Sequence, residues 1–281
     1  MGRLYVVATP IGNLEDITLR ALRTLKEAEL IACEDTRQTQ KLLSHYGIST
    51  ATISYHEHNE AQRAEELVGK LETGSSVALV SDAGMPGISD PGYRVIALAI
   101  ERGIPVVPIP GPSAFVAALA ASGLPTDSFR FGGFLPAKAG QRRQMLEKIA
   151  NSEETTIFYE APHRLHDALE DAADVLGPER YIVIARELTK LHEEFIRGPL
   201  AKVAEQLKQH EVRGEIVLLF GKAEPRTQST KPAKQNLHAM LEQIMLEQKL
   251  DEKAALKVLA KKKGVSKSEV YRELQRSKPR K

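Results

Sequence analysis

The feature that most constrains the fold is a repeated alternation of short β-rich runs with amphipathic stretches at helical spacing. Strands that alternate with helices predict an α/β fold with a mostly parallel sheet, covered by helices on both faces. Asp16 and Asn59 are predicted N-caps, because each short polar side chain can accept hydrogen bonds from the first helical turn. Beginning with a strand, the predicted strands and helices alternate over residues 4–8, 17–28, 30–33, 38–46, 49–55, 60–71, 77–80, 93–101, 104–109 and 113–121.

A turn-rich sequence, Ser122-Gly123-Leu124-Pro125, predicts a boundary between an N-terminal α/β domain of residues 1–121 and a second α/β domain of residues 122–222. Two of the strands predicted in the second domain follow one another along the chain, which favours a mixed sheet. The predicted strands of this domain are 129–135, 155–159, 181–185, 193–197 and 215–220, and the predicted helices are 142–150 and 164–176.

The charge of the chain is concentrated at its C-terminal end. Residues 223–281 carry 15 basic and 7 acidic side chains, a net charge of +8, which leaves −6 for residues 1–222. Residues 223–234 have the composition of a linker, and 235–281 predict a small basic domain resembling a helix-turn-helix. Such a domain favours contact with nucleic acid, with an ordinary helical bundle as the alternative. Its candidate RNA-binding residues are Lys261, Lys262, Lys263, Lys267 and Arg272.

Composition excludes several classes of protein. The chain is 42% hydrophobic and 27% charged, and its sequence has no apolar run that approaches the roughly 18 residues of a membrane span. A single cysteine, Cys33, allows neither an internal disulfide nor a thiolate metal cluster, so we expect a cytoplasmic protein. The histidine pairs His56/His58 and His163/His166 lack an evident third ligand, so no metal is expected.

Four loops leaving predicted strands are candidates for chemistry, because ligands of open α/β sheets bind beyond the carboxyl ends of the strands. Three of them are rich in glycine and proline, which allow a ligand to approach the backbone and which stiffen the loop. The fingerprints of dinucleotide and ATP binding, G-x-G-x-x-G and G-x-x-x-x-G-K-[ST], are absent. The loops are 9–13, 34–37, 81–92 and 110–114.

In these blocks the chain resembles the tetrapyrrole methylase superfamily, in the branch that modifies ribosomal RNA. The resemblance implies two α/β domains, S-adenosylmethionine bound in the cleft between them, and a homodimer. It also implies methylation of a ribose 2′-OH, that of cytidine 1402 in the 16S rRNA of the small ribosomal subunit. The matching blocks are Thr9-Pro10-Ile11-Gly12-Asn13-Leu14, Glu34-Asp35-Thr36-Arg37, residues 81–92, residues 110–114, Gly133-Phe134-Leu135-Pro136, Phe158-Tyr159-Glu160, Ala185-Arg186-Glu187-Leu188-Thr189-Lys190 and Gly214-Glu215.

Candidate site residues lie on these strand-end loops. Methyl transfer to a hydroxyl needs a proton acceptor, and the candidates are Glu34, Asp35, Glu160, Glu187 and Lys190. Arg37 and Arg186 are candidates for gripping phosphates, although Asp35–Arg37 and Arg186–Glu187 could equally be structural ion pairs. The candidate cofactor-binding residues are Pro10, Gly12, Ser81, Asp82, Ala83, Gly84, Met85, Pro86, Pro110, Gly111, Pro112, Ser113, Phe158, Tyr159 and Glu215.

Two other functions remain open at this point. One is methylation of a small tetrapyrrole, for which a +8 appendage has no obvious use. The other is a noncatalytic RNA-binding protein, which would bind the cofactor without transferring a methyl group to RNA. The order of the blocks and the basic tail favour an RNA methyltransferase.

Overall fold

The computed structural model describes residues 2–208, 212–223, 245 and 251–263. Contacts between residues divide the chain into two compact units, Met1–Glu224 and Pro225–Lys281. Within its described residues, the first unit contains two five-stranded sheets, one before and one after residue 122. The predicted α/β class is confirmed.

The first sheet is parallel throughout, with strand order β3-β2-β4-β1-β5. Its strands are β1 (Leu4–Val7), β2 (Leu30–Cys33), β3 (Thr52–Ser54), β4 (Val77–Val80) and β5 (Val106–Ile109). The helices that alternate with these strands are α1 (Leu19–Glu27), α2 (Thr36–His45), α3 (Glu60–Glu72), α4 (Tyr93–Glu101) and α5 (Ala114–Ser122). Buried side chains of α1 and α2 pack on one face and those of α3 and α4 on the other, so both faces are covered as predicted.

One predicted helix cap is wrong and another acts differently. Thr18, not Asp16, caps α1, and its hydroxyl accepts a hydrogen bond from the backbone N–H of Ala21 at 3.1 Å. Asp16 instead belongs to a short 3₁₀ turn over Leu14–Asp16, which delays the start of the helix. Asn59 precedes α3 as predicted but does not bond to the helix; its amide oxygen accepts from the backbone N–H of His56 at 2.9 Å.

The second sheet is mixed, as predicted, with strand order β6-β7-β10-β8-β9. Strands β6 and β7 run parallel, and the other neighbours are antiparallel. Its strands are β6 (Phe129–Phe134), β7 (Thr155–Glu160), β8 (Tyr181–Arg186), β9 (Glu194–Pro199) and β10 (Ile216–Phe220), and its helices are α6 (Ala139–Ile149), α7 (Leu165–Leu176) and α8 (Leu200–Leu207).

Helix α8 is not among the predicted helices, although its sequence carries a signal. Leu200, Val203 and Leu207 recur at helical spacing, and all three are buried in the core between the sheet and its helices. Helix α6 begins three residues before the predicted start at 142. The boundaries of short helices beside strands are the least determined by local pattern.

Helix α5 follows the last strand of the first sheet but packs against the second sheet. Ala118 and Leu119 are buried together with side chains of β7, β8 and β10. The Phe115 ring stacks on the ring of Phe131 in β6, with centroids 4.4 Å apart. The last helix of the first sheet thus covers one face of the second.

The second unit contains a described helix, α9 (Glu252–Lys263). The Asp251 carboxylate accepts a hydrogen bond from the Ala254 N–H at 2.8 Å, and Ala255, Leu256 and Leu259 are buried. This confirms the helix predicted around 254–259, whereas most of the predicted linker and the second helix of the helix-turn-helix lie outside the described residues. No helix in the described ranges combines the length and apolarity needed to cross a membrane.

Candidate active site

The loops after β1 and β4 flank the point where the order of the first sheet reverses. The chain leaves β1 toward β2 on one side, whereas it leaves β4 toward β5 on the other, which opens a crevice beyond the strand ends. The two loops are joined by paired backbone hydrogen bonds, from Thr9 N–H to the Gly84 oxygen at 2.9 Å and from Gly84 N–H to the Thr9 oxygen at 3.0 Å. The Thr9 hydroxyl also donates to the Ser81 carbonyl at 3.0 Å.

A cavity of about 380 Å³ lies where this crevice meets the second sheet. That volume is in the range of sites for small molecules and cofactors. Most of the walls are apolar, and two acidic side chains, Asp90 and Glu215, interrupt them. The lining segments are Ile11, residues 83–85 and 88–90, 113–114, Phe134, residues 159–162, Leu188 and residues 214–217.

Only part of the predicted cofactor-binding set lines this cavity. The residues that do are Ala83, Gly84, Met85, Ser113, Tyr159 and Glu215. Those that lie in the surrounding loops without lining it are Pro10, Gly12, Ser81, Asp82, Pro86, Pro110, Gly111 and Pro112.

The Phe158 side chain points away from the cavity. Successive side chains of a strand point to opposite faces, and Tyr159 faces the cavity, so Phe158 faces the hydrophobic core on the other side of β7. It is almost completely buried, 6.2 Å from the Phe220 ring. Its side chain therefore faces away from the cavity, and the role of Phe158 in cofactor binding stays a prediction.

The loop after β8 is strained and locks onto the loop after β1. Glu187 and Thr189 have positive φ angles of 51° and 64°, which non-glycine residues rarely adopt. At Gly12 a Cβ atom would lie 2.5 Å from the Cγ of Lys190 and 2.9 Å from the Leu188 oxygen, so only glycine permits this close approach. Strain of this kind is common at functional sites.

Lys190 binds two carboxylates at the entrance to the cavity. Its Nζ lies 2.8 Å from Glu187 Oε1 and 3.2 Å from Glu215 Oε2. Burial acts to lower the pKa of Lys190, but the hydrogen bond to Glu187 and the charge of Glu215 outweigh it and raise the pKa. The hydrogen bond from Lys190 in turn lowers the pKa of Glu187. Lys190 stays protonated and Glu187 is a weak base, so neither suits proton abstraction at neutral pH.

Glu160 supplies a buried hydrogen-bond acceptor. Its Oε1 accepts hydrogen bonds from the Ala161 N–H at 2.7 Å and the Arg164 Nε at 2.8 Å. Its Oε2 is buried and has no hydrogen-bond partner among the described residues. The side chain has no exposed surface, so this oxygen is not open to a ligand in the cavity.

Asp90 is the cavity residue with the most suitable pKa for acid–base chemistry. Burial raises its pKa to about 6, the Asp82 charge adds to this, and a hydrogen bond with Ser81 opposes it. The preceding residue, Ser89, has a φ of 63°, so the loop is strained where it presents this carboxylate. Asp90 is not among the predicted catalytic residues, although it stands in the 81–92 loop; only the fold shows which carboxylate of that loop enters the cavity.

Glu34 and Asp35 do not line the cavity. Asp35 caps α2 and forms an ion pair with Arg37 at 2.7 Å, and hydrogen bonds from Arg37 lower the pKa of Asp35 to about 2. Asp35 and Arg37 therefore form the ion pair that the sequence left open as an alternative. Burial, together with the charge of Asp90, raises the pKa of Glu34.

Arg186 does not form the alternative ion pair with Glu187. Its Nη2 lies 3.0 Å from Glu194 Oε2, and its Nη1 donates to the Arg213 carbonyl at 3.3 Å. The backbone of Lys261, Lys262 and Lys263 belongs to α9, while Lys267 and Arg272 lie outside the described residues. The described part of the chain has no cluster of three or more His, Cys, Asp or Glu side chains able to hold a metal.

Comparison with known proteins relates the chain to a methylase family. A model of the "Tetrapyrrole (Corrin/Porphyrin) Methylases" matches residues 3–204. Ribosomal RNA small subunit methyltransferase I of Halalkalibacterium halodurans is 49% identical over 277 residues, covering 96% of this chain and 93% of the relative. Proteins of the same name are 55% identical over 218 residues in Vibrio cholerae, covering 77% and 76%, and 46% identical over 273 residues in Escherichia coli O157:H7, covering 96% and 94%.

Solved structures show the same fold at low sequence identity. Uroporphyrin III C-methyltransferase from Thermus thermophilus aligns with a TM-score of 0.56 at 21% identity, over 79% of this chain and 98% of that one. A structure of that enzyme in complex with S-adenyl homocysteine aligns with a TM-score of 0.55 at 21% identity, with the same coverage. Diphthine synthase aligns with a TM-score of 0.58 at 15% identity, over 78% and 90%.

Proposed function

The chain belongs to the tetrapyrrole methylase family, and on that premise we propose that it is an S-adenosylmethionine-dependent methyltransferase of small-subunit ribosomal RNA. The proposed product is a cytidine methylated at its ribose 2′-oxygen, cytidine 1402 of 16S rRNA. The observation that carries this proposal is Asp90, a carboxylate with a pKa of about 6 in the wall of a cavity large enough for the cofactor.

The volume and the lining of the cavity support S-adenosylmethionine as its ligand. Gly84, with a φ of 82°, exposes backbone to the cavity, and Ile11, Met85 and Leu188 offer apolar surface. The acidic side chains of Asp90 and Glu215 in the lining suit a ligand with a positively charged sulfonium. Bound in this cavity, S-adenosylmethionine supplies the methyl group.

The protein has two tasks in this reaction: to align the ribose oxygen behind the methyl group and to accept the hydroxyl proton. Alignment in a near-attack geometry contributes much of the rate in such two-substrate reactions. For the proton we favour Asp90 over Glu34, Asp35, Glu160, Glu187 and Lys190. Asp90 opens into the cavity, is mostly ionised at pH 7, and is more basic than an ordinary carboxylate.

The basic segment supports RNA over a small tetrapyrrole. Residues 223–281 carry a net charge of +8, and positive segments bind nucleic acid by neutralising phosphates. We assign Arg37 to the RNA path because its side chain is 86% exposed near the sheet edge that bears the loops. Arg186 and the lysines of 261–263 are proposed phosphate contacts, together with Lys267 and Arg272.

We further propose that the protein is a cytoplasmic homodimer. The outer side of α5 supports dimerisation, because Val116 is 49% exposed there beside the exposed alanines 117, 120 and 121. Apolar surface of this kind is typical of interfaces between subunits. Sedimentation equilibrium measures the oligomeric state directly.

The test incubates the protein with tritiated S-adenosylmethionine and either unmodified small ribosomal subunits or naked 16S rRNA. Nuclease digestion and mass spectrometry then locate the label. Label on the 2′-oxygen of one cytidine supports the proposal, whereas label on a base or on a tetrapyrrole offered in parallel contradicts it. Cofactor binding without transfer to any substrate supports the noncatalytic alternative.

A further inference from the structure

Strand β6 contains a bulge that changes the direction of one aromatic side chain. Phe131 pairs with Ile157 of β7, and Phe134, three residues later, pairs with Tyr159, only two residues later. One extra residue of β6 is therefore accommodated between the two pairs. Because side chains alternate along a strand, Phe131 and Phe134 would otherwise face opposite sides, and the bulge places both on the side of Tyr159.

Two adjacent glycines make this bulge possible. At Gly132 a Cβ atom would lie 2.3 Å from the Phe158 ring, so no other residue fits there without moving that ring. Gly133 has a φ of 70°, which other residues rarely adopt. The sequence Gly132-Gly133 thus specifies the local geometry that turns Phe134 toward the cavity.

Phe134 is the exposed end of a series of aromatic rings. Phe115 stacks on Phe131, whose ring centroid lies 5.0 Å from that of Tyr159, and the Tyr159 centroid lies 5.4 Å from that of Phe134. Phe134 lines the cavity yet remains 55% exposed. Its neighbours fix the ring from behind and leave its outer side open.

The adjoining part of the rim comes from the loop that carries Asp90. A Cβ atom on Gly133 would lie 3.6 Å from the Ser89 hydroxyl, so this loop lies close to the bulge. Ile88 also lines the cavity and is 43% exposed. An exposed ring, an exposed aliphatic side chain and the Asp90 carboxylate therefore share one edge of the cavity.

We propose that Phe134 is the stacking platform for the nucleobase of the nucleotide to be methylated. This inference rests on the proposed function, because it names the part of the site that holds the RNA. A nucleotide must leave its base stack before its ribose can reach a cofactor inside a cavity, and it then needs a new stacking partner. A fixed, half-exposed ring at the rim is such a partner, and Asp90 on the same rim is in position to meet the ribose.

The rim position favours the RNA base over the adenine of the cofactor. The cofactor must be held within the cavity to present its methyl group, where Tyr159 and Glu215 are available to it. RNA approaches from outside and meets the exposed rim first. Phe134 is thus assigned to the RNA and not to the cofactor.

The experiment compares Phe134→Ala, Phe134→Leu and Phe134→Tyr by steady-state methylation of the RNA and by calorimetric binding of S-adenosylmethionine. Stacking on an aromatic ring is lost in both Ala and Leu, so we expect kcat/KM for RNA to fall by about 10- to 100-fold in each, with most of the change in KM. Phe134→Tyr keeps the ring and should stay close to the wild type. Cofactor affinity should be unchanged in all three.

Phe129→Leu is the matched control, because Phe129 is 44% exposed on the same strand and does not line the cavity. It should leave the kinetics unchanged. Wild-type kcat/KM in Phe134→Leu would show that apolar contact suffices and would overturn the platform. A parallel loss of cofactor affinity would assign the ring to the cofactor and overturn it equally.

A second readout separates this inference from the proposed function. An RNA carrying the fluorescent base pyrrolocytosine at the target position loses fluorescence when that base stacks on a ring. Quenching by the wild type and by Phe134→Tyr, but not by Phe134→Leu, supports the platform even if no methyl group is transferred. Equal quenching by all variants overturns the platform, whether or not methylation occurs.

Discussion

Replacing Asp90 by asparagine tests the proposed proton acceptor most directly. The change keeps the size of the side chain and its capacity to bond Ser81 but removes the basic oxygen. Loss of a general base lowers turnover by about 10²- to 10⁴-fold, so we expect a fall of that order in kcat. Binding of S-adenosylmethionine, measured by calorimetry, should change little.

The pH dependence of kcat/KM follows from the Asp90 pKa of about 6. An acid with that pKa is about 90% ionised at pH 7 and about 10% at pH 5, so kcat/KM of the wild type should fall about tenfold between these values. In Asp90→Asn this acid limb should disappear. An Asp90→Asn enzyme with the same acid limb as the wild type, or with wild-type turnover, would refute the assignment.

The contribution of Asp90 to stability changes with pH in the opposite direction from its contribution to activity. The folded state raises the pKa of Asp90 from 3.8 to about 6, so it binds more protons than the unfolded state between these values, and stability falls as pH rises through this window. The full shift corresponds to about 3 kcal/mol, reduced to about 1 kcal/mol by solvent screening of a partly exposed group. Asp90→Asn should therefore raise the urea midpoint at pH 7, whereas Asp127→Asn, on the surface, should alter neither stability nor turnover.

Three further predictions concern the cofactor, the core and the tail. Gly84→Val should abolish calorimetric binding of S-adenosylmethionine, because Gly84 lines the cavity at a φ of 82°. The control is Gly103→Val, which carries similar backbone strain at a φ of 69° but lies in open space, and this variant should bind the cofactor normally. Asp171→Ala should lower the free energy of unfolding by about 3–5 kcal/mol in urea titrations, because the buried Arg142 side chain, only 4% exposed, loses its ion-pair partner. A loss below about 1 kcal/mol would contradict this prediction. Removing residues 225–281 should weaken RNA binding and make it less dependent on salt, while cofactor affinity persists. The slope of the logarithm of affinity against the logarithm of salt concentration should fall by about 0.7 for each phosphate of single-stranded RNA that the tail neutralises. An unchanged slope would argue against binding of phosphates by the tail.

Local pattern is enough to predict most of the strands and helices. β2, β4 and α4 have the predicted bounds, because an uninterrupted apolar run or a clear helical period marks each of them. The order of the strands and the pairing across the sheets are not local properties, and no local pattern places them. The resemblance to a known family implies two α/β domains, and the strand order is seen only in the structure.

In the active site, too, some features follow from local sequence and others only from the fold. The glycine-rich loops are identified correctly as the edge where the cavity lies, since chain order alone places them after strands. Asp90 and Asp82 stand in the same loop with similar neighbours, and only folding buries one in the cavity wall and leaves the other exposed. The bulge before Phe134 depends on the Phe158 ring in the next strand, an interaction that no local pattern reveals.

The packing of α5 has a consequence for how the chain is made. The ribosome completes α5 nearly a hundred residues before β10, one of the strands that bury it. Until β10 emerges, the nascent chain carries an apolar helix without a finished sheet to cover it, and exposed apolar surface of this kind is prone to aggregation. A fragment that ends at residue 122 should therefore be insoluble, and residues 2–223 should unfold in one cooperative transition.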